Sequence, residues 1–241
     1  MTNGMARRWV AGLAAALVLA GPGGASEMCT DDAMIVFDGS GSMSEIGFNR
    51  LGAPRIFEAR EAIRKAVPGI AESRRLGLII YGPGERSACD NVNLRFSPAW
   101  DSAEPIIGEV ESLWPSGATP LTEAVRQAAE VLDWRHRPGA VVLVTDGKET
   151  CGGTPCALAE EFARSGADFT VHVIGFKVRG DHFNLSAGSD DGIVSVARCL
   201  ADGTGGRYET AETAQDLVAA LRLTLGCNLY GSLEDGSRRI Q

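Results

Sequence analysis

The chain has 241 residues, 44% of them hydrophobic and 22% charged, with a formal net charge of −8. Such a length and balance suit one medium-sized globular domain. The acidic surface repels nucleic acid and anionic membranes, and leaves a protein partner open.

The first segment stands apart from the fold. Arg7 and Arg8 precede an apolar run from Trp9 to Ala20, followed by the small residues Gly21–Ser26. A charged start, an apolar stretch and a small-residue cleavage zone make up a secretory signal. The apolar run has 12 residues, short of the roughly 20 that a membrane-spanning helix needs. The expected organisation is a signal peptide over 1–25, a folded domain over 26–227 and a polar C-terminal tail over 228–241. The mature chain is expected to be periplasmic or secreted, with no stable membrane anchor.

Four apolar runs follow, Met34–Phe37, Leu76–Tyr81, Ala140–Thr145 and Phe169–Phe176. Their density predicts strands buried on both faces, the mark of a parallel sheet covered by helices. Between them, Ile56, Ala59, Ile63 and Ala66 share one helical face, as do Leu121, Val125, Ala128 and Leu132. Thr154-Pro155 predicts a helix through Phe162 with a hydroxyl cap and a proline in its first turn. Gly205-Gly206 breaks the chain before a short strand near Arg207–Glu209, and Leu217, Leu221 and Leu225 mark a last helix. Val92–Phe96 follows Leu76–Tyr81 too closely for a helical crossover and is expected to pair antiparallel at an edge. The alternation predicts a doubly wound α/β domain with a mostly parallel central sheet and helices on both faces. Trp100, Trp114 and Trp134 flank helices and read as packing residues. The acidic run Ser189-Asp190-Asp191-Gly192 reads as a helix start.

All six cysteines lie beyond the signal, and an even count in an exported chain reads as disulfides. Cys151 and Cys156 are close, but no second close pair exists and the histidines are scattered, which disfavours zinc. Cys29 precedes the first strand and Cys227 follows the last helix, so this pair is expected to clasp the chain ends. Cys151–Cys156 is expected to close a short loop, leaving Cys89–Cys199.

The first strand ends in Asp38-Gly39-Ser40-Gly41-Ser42, where two glycines let the backbone curl and three side-chain oxygens converge. A hard cation takes about six oxygens at roughly 2.1 Å, so more donors are needed. Ser116-Gly117-Ala118-Thr119-Pro120 before a helix and Thr145-Asp146-Gly147 after a strand supply Thr119 and Asp146. In an open α/β sheet these segments meet at the carboxyl ends of the strands, where ligands bind.

Asp38-x-Ser40-x-Ser42, Thr119 and Asp146 resemble the metal-ion-dependent adhesion site of von Willebrand factor A domains. The resemblance extends over about residues 30–227, with Gly-Ala-Thr-Pro-Leu before a helix and Thr-Asp-Gly after a strand. Glu149–Cys156 and Thr204–Tyr208 are similar to segments of bacterial exported members. The resemblance implies a Rossmann-like fold and a non-catalytic binding module. It also implies that Ser40, Ser42 and Thr119 serve as neutral ligands while Asp38 and Asp146 bind directly or through water. The cation is expected to be Mg²⁺, with Mn²⁺ or Ca²⁺ as alternatives, and the partner a protein that offers a Glu or Asp carboxylate.

Two rivals differ in class. A Mg²⁺-dependent hydrolase needs a base, yet His172 lies in an apolar strand, His136 and His182 lie in polar loops, and no Gly-x-Ser-x-Gly elbow is present. A structural protein that the cation merely stabilises is the other.

Overall fold

A computed structural model describes residues 1, 29, 31–46, 52–85, 87–164, 168–177 and 194–227, and structural statements concern these. The expected signal peptide, the Ser189–Gly192 run, His182 and the expected polar tail lie outside them.

Six strands form one sheet among the described residues, ordered β3-β2-β1-β4-β5-β6. They are β1 (Asp32–Asp38), β2 (Leu76–Tyr81), β3 (Val92–Ala99), β4 (Gly139–Thr145), β5 (Phe169–Phe176) and β6 (Tyr208–Ala211). All neighbours pair in parallel except β2 with β3, which is antiparallel. The helices are α1 (Arg55–Ala71), α2 (Ala103–Ser112), α3 (Leu121–Val131), α4 (Pro155–Ala163), α5 (Val194–Gly203) and α6 (Ala214–Leu225). None of the described helices is long and apolar enough to cross a membrane.

Alternation along the strands builds two cores. Ala33, Ile35 and Phe37 of β1 face a core shared with α1, α2 and α6, whereas Met34 and Val36 face one shared with α3, α4 and α5. Both faces of the central strands are therefore dry, the arrangement their sequences predict. The chain leaves β1 for β2 and β3 on one side, then returns to lay β4 on the other side of β1. The carboxyl ends of β1 and β4 thus flank the point where strand order reverses, and an open crevice forms there.

Several expectations change. The edge strand runs three residues further than predicted, to Ala99. The short last strand occupies Tyr208–Ala211 rather than Arg207–Glu209. Helix α2 escapes the sequence pattern because Pro105 and Gly108 interrupt it and only Ile106 and Val110 are fully inward. Helix α4 starts at Pro155 as expected, but the Thr154 side chain makes no capping hydrogen bond. Trp134 packs edge-on against Phe162 as a core residue. Trp100 and Trp114 do not: they are 44% and 86% exposed, because each lies in the turn just outside α2 rather than on its buried face.

The disulfides are Cys29–Cys227, Cys89–Cys151 and Cys156–Cys199. The expected clasp forms. Around it, buried Arg74 bonds the carbonyl of Leu225 at 3.0 Å and pairs with Asp31. The expected Cys151–Cys156 and Cys89–Cys199 pairs do not form. Pro155 starts a helix that carries Cys156 toward α5, where Cys199 lies, while the Gly152 turn (φ +75°) leaves Cys151 in the preceding loop, beside the β2–β3 loop that holds Cys89. Spacing along the chain suggested a short loop, and the helix start prevents it.

His172 is a core histidine of β5, its Nδ1 accepting the Arg207 N–H at 3.0 Å. Burial, with help from Arg74 and Arg207, pushes its pKa down to about 4. The unfolded chain therefore binds a proton there that the fold rejects, so stability present above about pH 6.5 drains away as the pH falls toward 4. Between pH 6.5 and 4.5 the wild-type melting temperature should fall by roughly 2–6 °C more than that of His172→Asn, which keeps an acceptor for Arg207. Circular-dichroism melts at the two pH values check this, and equal slopes would refute it.

Candidate metal centre

Asp38 is the last residue of β1 and is fully buried. Its Oδ1 accepts the Ser40 N–H at 2.8 Å, closing the tight turn that the sequence Asp-Gly-Ser suggests. Its Oδ2 accepts the Thr145 hydroxyl from the end of β4 at 2.7 Å. That hydroxyl in turn accepts from Tyr81 Oη, at the end of β2, at 3.0 Å. Three adjacent strand ends therefore fix one carboxylate.

Beyond Asp38 the chain winds into a short 3-10 turn over Gly41–Ser44. Ser40 Oγ and Ser42 Oγ lie 3.1 Å apart, and Ser42 Oγ donates to Asp146 Oδ1 at 2.6 Å. Asp146, just past β4, is buried, and its Oδ2 accepts from Arg55 Nη1 of α1 at 3.0 Å. Arg55 also donates to the Ser42 carbonyl at 3.3 Å and stands 3.6 Å from Glu45.

Thr119 arrives from the loop between α2 and α3. It is buried and lines the same cleft as Ser42 and Asp146. No hydrogen bond among the described residues joins it to the other four. Its position is set from behind: its N–H donates to Thr150 Oγ1 at 2.8 Å, and its carbonyl accepts the Thr150 N–H at 3.1 Å. The loops are stitched together by Gly41 N–H to the Gly117 carbonyl at 3.2 Å and Ser116 N–H to the Gly39 carbonyl at 2.9 Å. Gly117 is required on two counts. Its φ is +78°, and a Cβ there would sit 2.0 Å from the Gly82 carbonyl oxygen.

The resulting cleft has a volume of about 840 Å³ and includes Gly41–Ser42, Arg55, Ser116–Thr119 and Asp146–Lys148 in its wall. No group of three or more His, Cys, Asp or Glu side chains is placed to hold a metal ion among the described residues. Burial, reinforced by the charge of Asp38 and opposed by Ser42 and Arg55, pushes the Asp146 carboxyl up to about 7. Burial and the same Asp38 charge hold the Tyr81 phenol well above its usual range.

Arg55, Tyr81, Thr145, Glu149 and Thr150 were not assigned roles from sequence. Glu149 accepts from the Thr122 N–H at 2.9 Å and Thr122 Oγ1 at 2.6 Å, and its other oxygen accepts the Cys151 N–H at 2.7 Å. The Thr-Asp-Gly context contained a signal for Thr145, which stands directly before Asp146. Nothing in the pattern pointed to Arg55, whose partner lies 91 residues away.

Residues 33–149 match the von Willebrand factor type A domain family. An uncharacterized protein of Bacillus subtilis, YwmC, is 25% identical over 193 residues, spanning 76% of this chain and 78% of that protein. An aerotolerance-related membrane protein from Bacteroides fragilis superposes with a TM-score of 0.57 at 19% identity, covering 81% of this chain and 98% of that one. Proximal thread matrix protein 1 from mussel byssus, solved with a zinc-occupied MIDAS motif, gives 0.52 at 17% identity over 81% of this chain and 44% of that one. The family match spans β1 through the loop after β4, and the sheet order places those strand ends together, so residues 33–149 of this chain match a von Willebrand factor type A domain in sequence and the fold agrees.

Proposed function

We propose that this protein is an exported binding module that holds a divalent cation through Asp38, Ser40, Ser42, Thr119 and Asp146 and captures an acidic side chain of a protein partner. The observation that carries the reading is the run of oxygens Ser40 Oγ, Ser42 Oγ and Asp146 Oδ1, separated by 3.1 and 2.6 Å. Neighbouring ligands of an octahedral Mg²⁺ at roughly 2.1 Å lie roughly 3.0 Å apart. The donor set is all hard oxygen, which suits Mg²⁺ first and Mn²⁺ or Ca²⁺ as alternatives. The mussel relative in fold takes zinc at its own motif.

Charge supports the binding role. Two carboxylates balance a divalent cation, and Arg55 beside Asp146 adds a further positive charge. The three hydroxyls contribute none, so the loaded cleft would draw an anion. Arg55 also holds Asp146 in place, while Thr145 and Ser40 hold Asp38. Catalysis has less support. No histidine lines the cleft among the described residues: His172 is committed to Arg207, and His136 pairs with Asp133 on the surface. Three disulfides fit an oxidising compartment outside the cytoplasm, periplasmic or secreted.

Affinity capture from exported proteins with Mg²⁺ present should yield a partner that EDTA releases and that Asp38→Ala or Ser42→Ala fails to retain, with circular dichroism showing folded variants. Capture that survives both EDTA and the variants would reject the cation mechanism. Melting that drops while capture persists would favour the purely structural role.

Proton competition gives a second test. In the cation-free protein the raised Asp146 pKa favours the fold at low pH, and that contribution fades as the pH rises from about 4 through 7. Cation binding needs the ionised form, so Mg²⁺ affinity should weaken by up to about tenfold per pH unit below 7 and level off above it. Calorimetric titrations at pH 6 and pH 8 check this, and equal affinities would contradict it.

A further inference from the structure

Among the three disulfides, one is wired to the cleft. Cys151 lies directly after Thr150, whose backbone and hydroxyl clamp both the N–H and the carbonyl of Thr119. Directly before Thr150, Glu149 joins the Cys151 N–H to the first residues of α3 through Thr122. Cys89 ties this segment to the β2–β3 loop. That loop is itself held against the Thr119 arm, since the Gly84 N–H donates to Ser116 Oγ at 3.2 Å and the Gly82 carbonyl packs on Gly117. Thr119 has no hydrogen bond to the other four candidate ligands among the described residues, so this rear support is what sets its place. Cys156–Cys199, in contrast, joins α4 to α5 on a face that contributes nothing to the cleft wall.

We propose that the Cys89–Cys151 disulfide, acting through Glu149 and Thr150, is a latch that sets the cleft's affinity for its cation, so that a dithiol reductant weakens cation binding. This rests on the cation reading above. Thr150 and Glu149 are positioning residues: they hold Thr119 at the cavity rather than supply the open coordination sites.

The chemistry balances as thiol–disulfide exchange. Cys89 is exposed and Cys151 half-buried, so a reductant thiolate attacks Cys89 Sγ and expels the Cys151 thiolate, which takes a proton. The second thiol of the reductant then displaces Cys89, leaving two cysteine thiols and one reductant disulfide, a transfer of two electrons and two protons. Exposed disulfides are the reducible ones. With the bond open, the loop between β4 and α4 loses its covalent tie to the β2–β3 loop. The hydrogen-bonded pair at Thr119 and Thr150 is then the weaker remaining support. Loss of support behind a metal ligand commonly costs about 10- to 100-fold in affinity.

The test is Mn²⁺ binding, read from the electron paramagnetic resonance of free Mn²⁺, with a melting curve for every variant. The double variant Cys89→Ser, Cys151→Ser should bind about tenfold more weakly than wild type, and dithiothreitol should weaken wild type similarly while leaving that variant unchanged. Cys156→Ser, Cys199→Ser should bind like wild type despite losing an equal number of covalent links. Thr150→Val, which removes the acceptor for the Thr119 N–H, should weaken binding, and Thr150→Ser should restore it. If the Cys89/Cys151 variant fails to fold, the Thr150 pair decides: Thr150→Val binding like wild type overturns the latch. It is equally overturned if the Cys89/Cys151 variant binds like wild type, or if the Cys156/Cys199 variant weakens as much. Wild-type protein that binds no Mn²⁺ overturns the cation reading, and the latch with it.

Discussion

The buried hydroxyl of Thr145 is the point on which the arrangement turns. It accepts from Tyr81 and donates to Asp38, so one side chain on β4 reads the position of its neighbour β1 and of β2 beyond it. A buried carboxylate without such partners would be expensive, and a buried phenol or hydroxyl only less so. The three groups relieve one another because the parallel register brings Asp38 level with Tyr81 and sets the end of β4 alongside. Backbone pairing in the sheet and polar satisfaction at its edge are thus one constraint. Shifting β4 by a single residue would turn Thr145 to the opposite face and leave Asp38 stranded.

Above that edge the molecule concentrates its polar groups where the two cores end. Asp146 and Arg55 form an ion pair with almost no exposure on either side chain. Desolvated pairs of this kind seldom add stability over apolar packing, and they punish the loss of one partner. Their value here is orientation: Arg55 belongs to the first turn of α1, so the helix that shields one face of the sheet also fixes the carboxylate at its rim.

Much of this was readable in advance, for identifiable reasons. Strands buried on both faces advertise themselves as unbroken apolar runs, and β1, β2, β4 and β5 were all visible in that way. Asp38, Ser40, Ser42 and Asp146 could be placed at strand ends because turn chemistry there is local: the first three fall within positions 38–42, directly at the end of β1, and Asp146 directly follows β4. What escaped was set by direction in space. Cys151 and Cys156 look like partners along the chain, yet a proline-started helix sends them to different neighbours. Trp114 looked like packing and stands in solvent, because its place beyond the last turn of α2 outweighs its hydrophobicity. Arg55, Glu149 and Thr150 act across 91, 27 and 31 residues respectively, distances at which no spacing rule operates.

The clasp between Cys29 and Cys227 has a geometric consequence of its own. Cys29 lies ahead of β1 and bonds Ser73 just before β2, while Cys227 follows α6 as that helix returns from the far edge. Both ends of the domain are therefore pinned at the pole where the parallel strands begin, and the crevice opens at the pole where they finish. Whatever is joined at either end, whether tether, neighbouring domain or solid support, would meet the protein on its back, with the crevice left pointing outward like the cup of a mounted receiver.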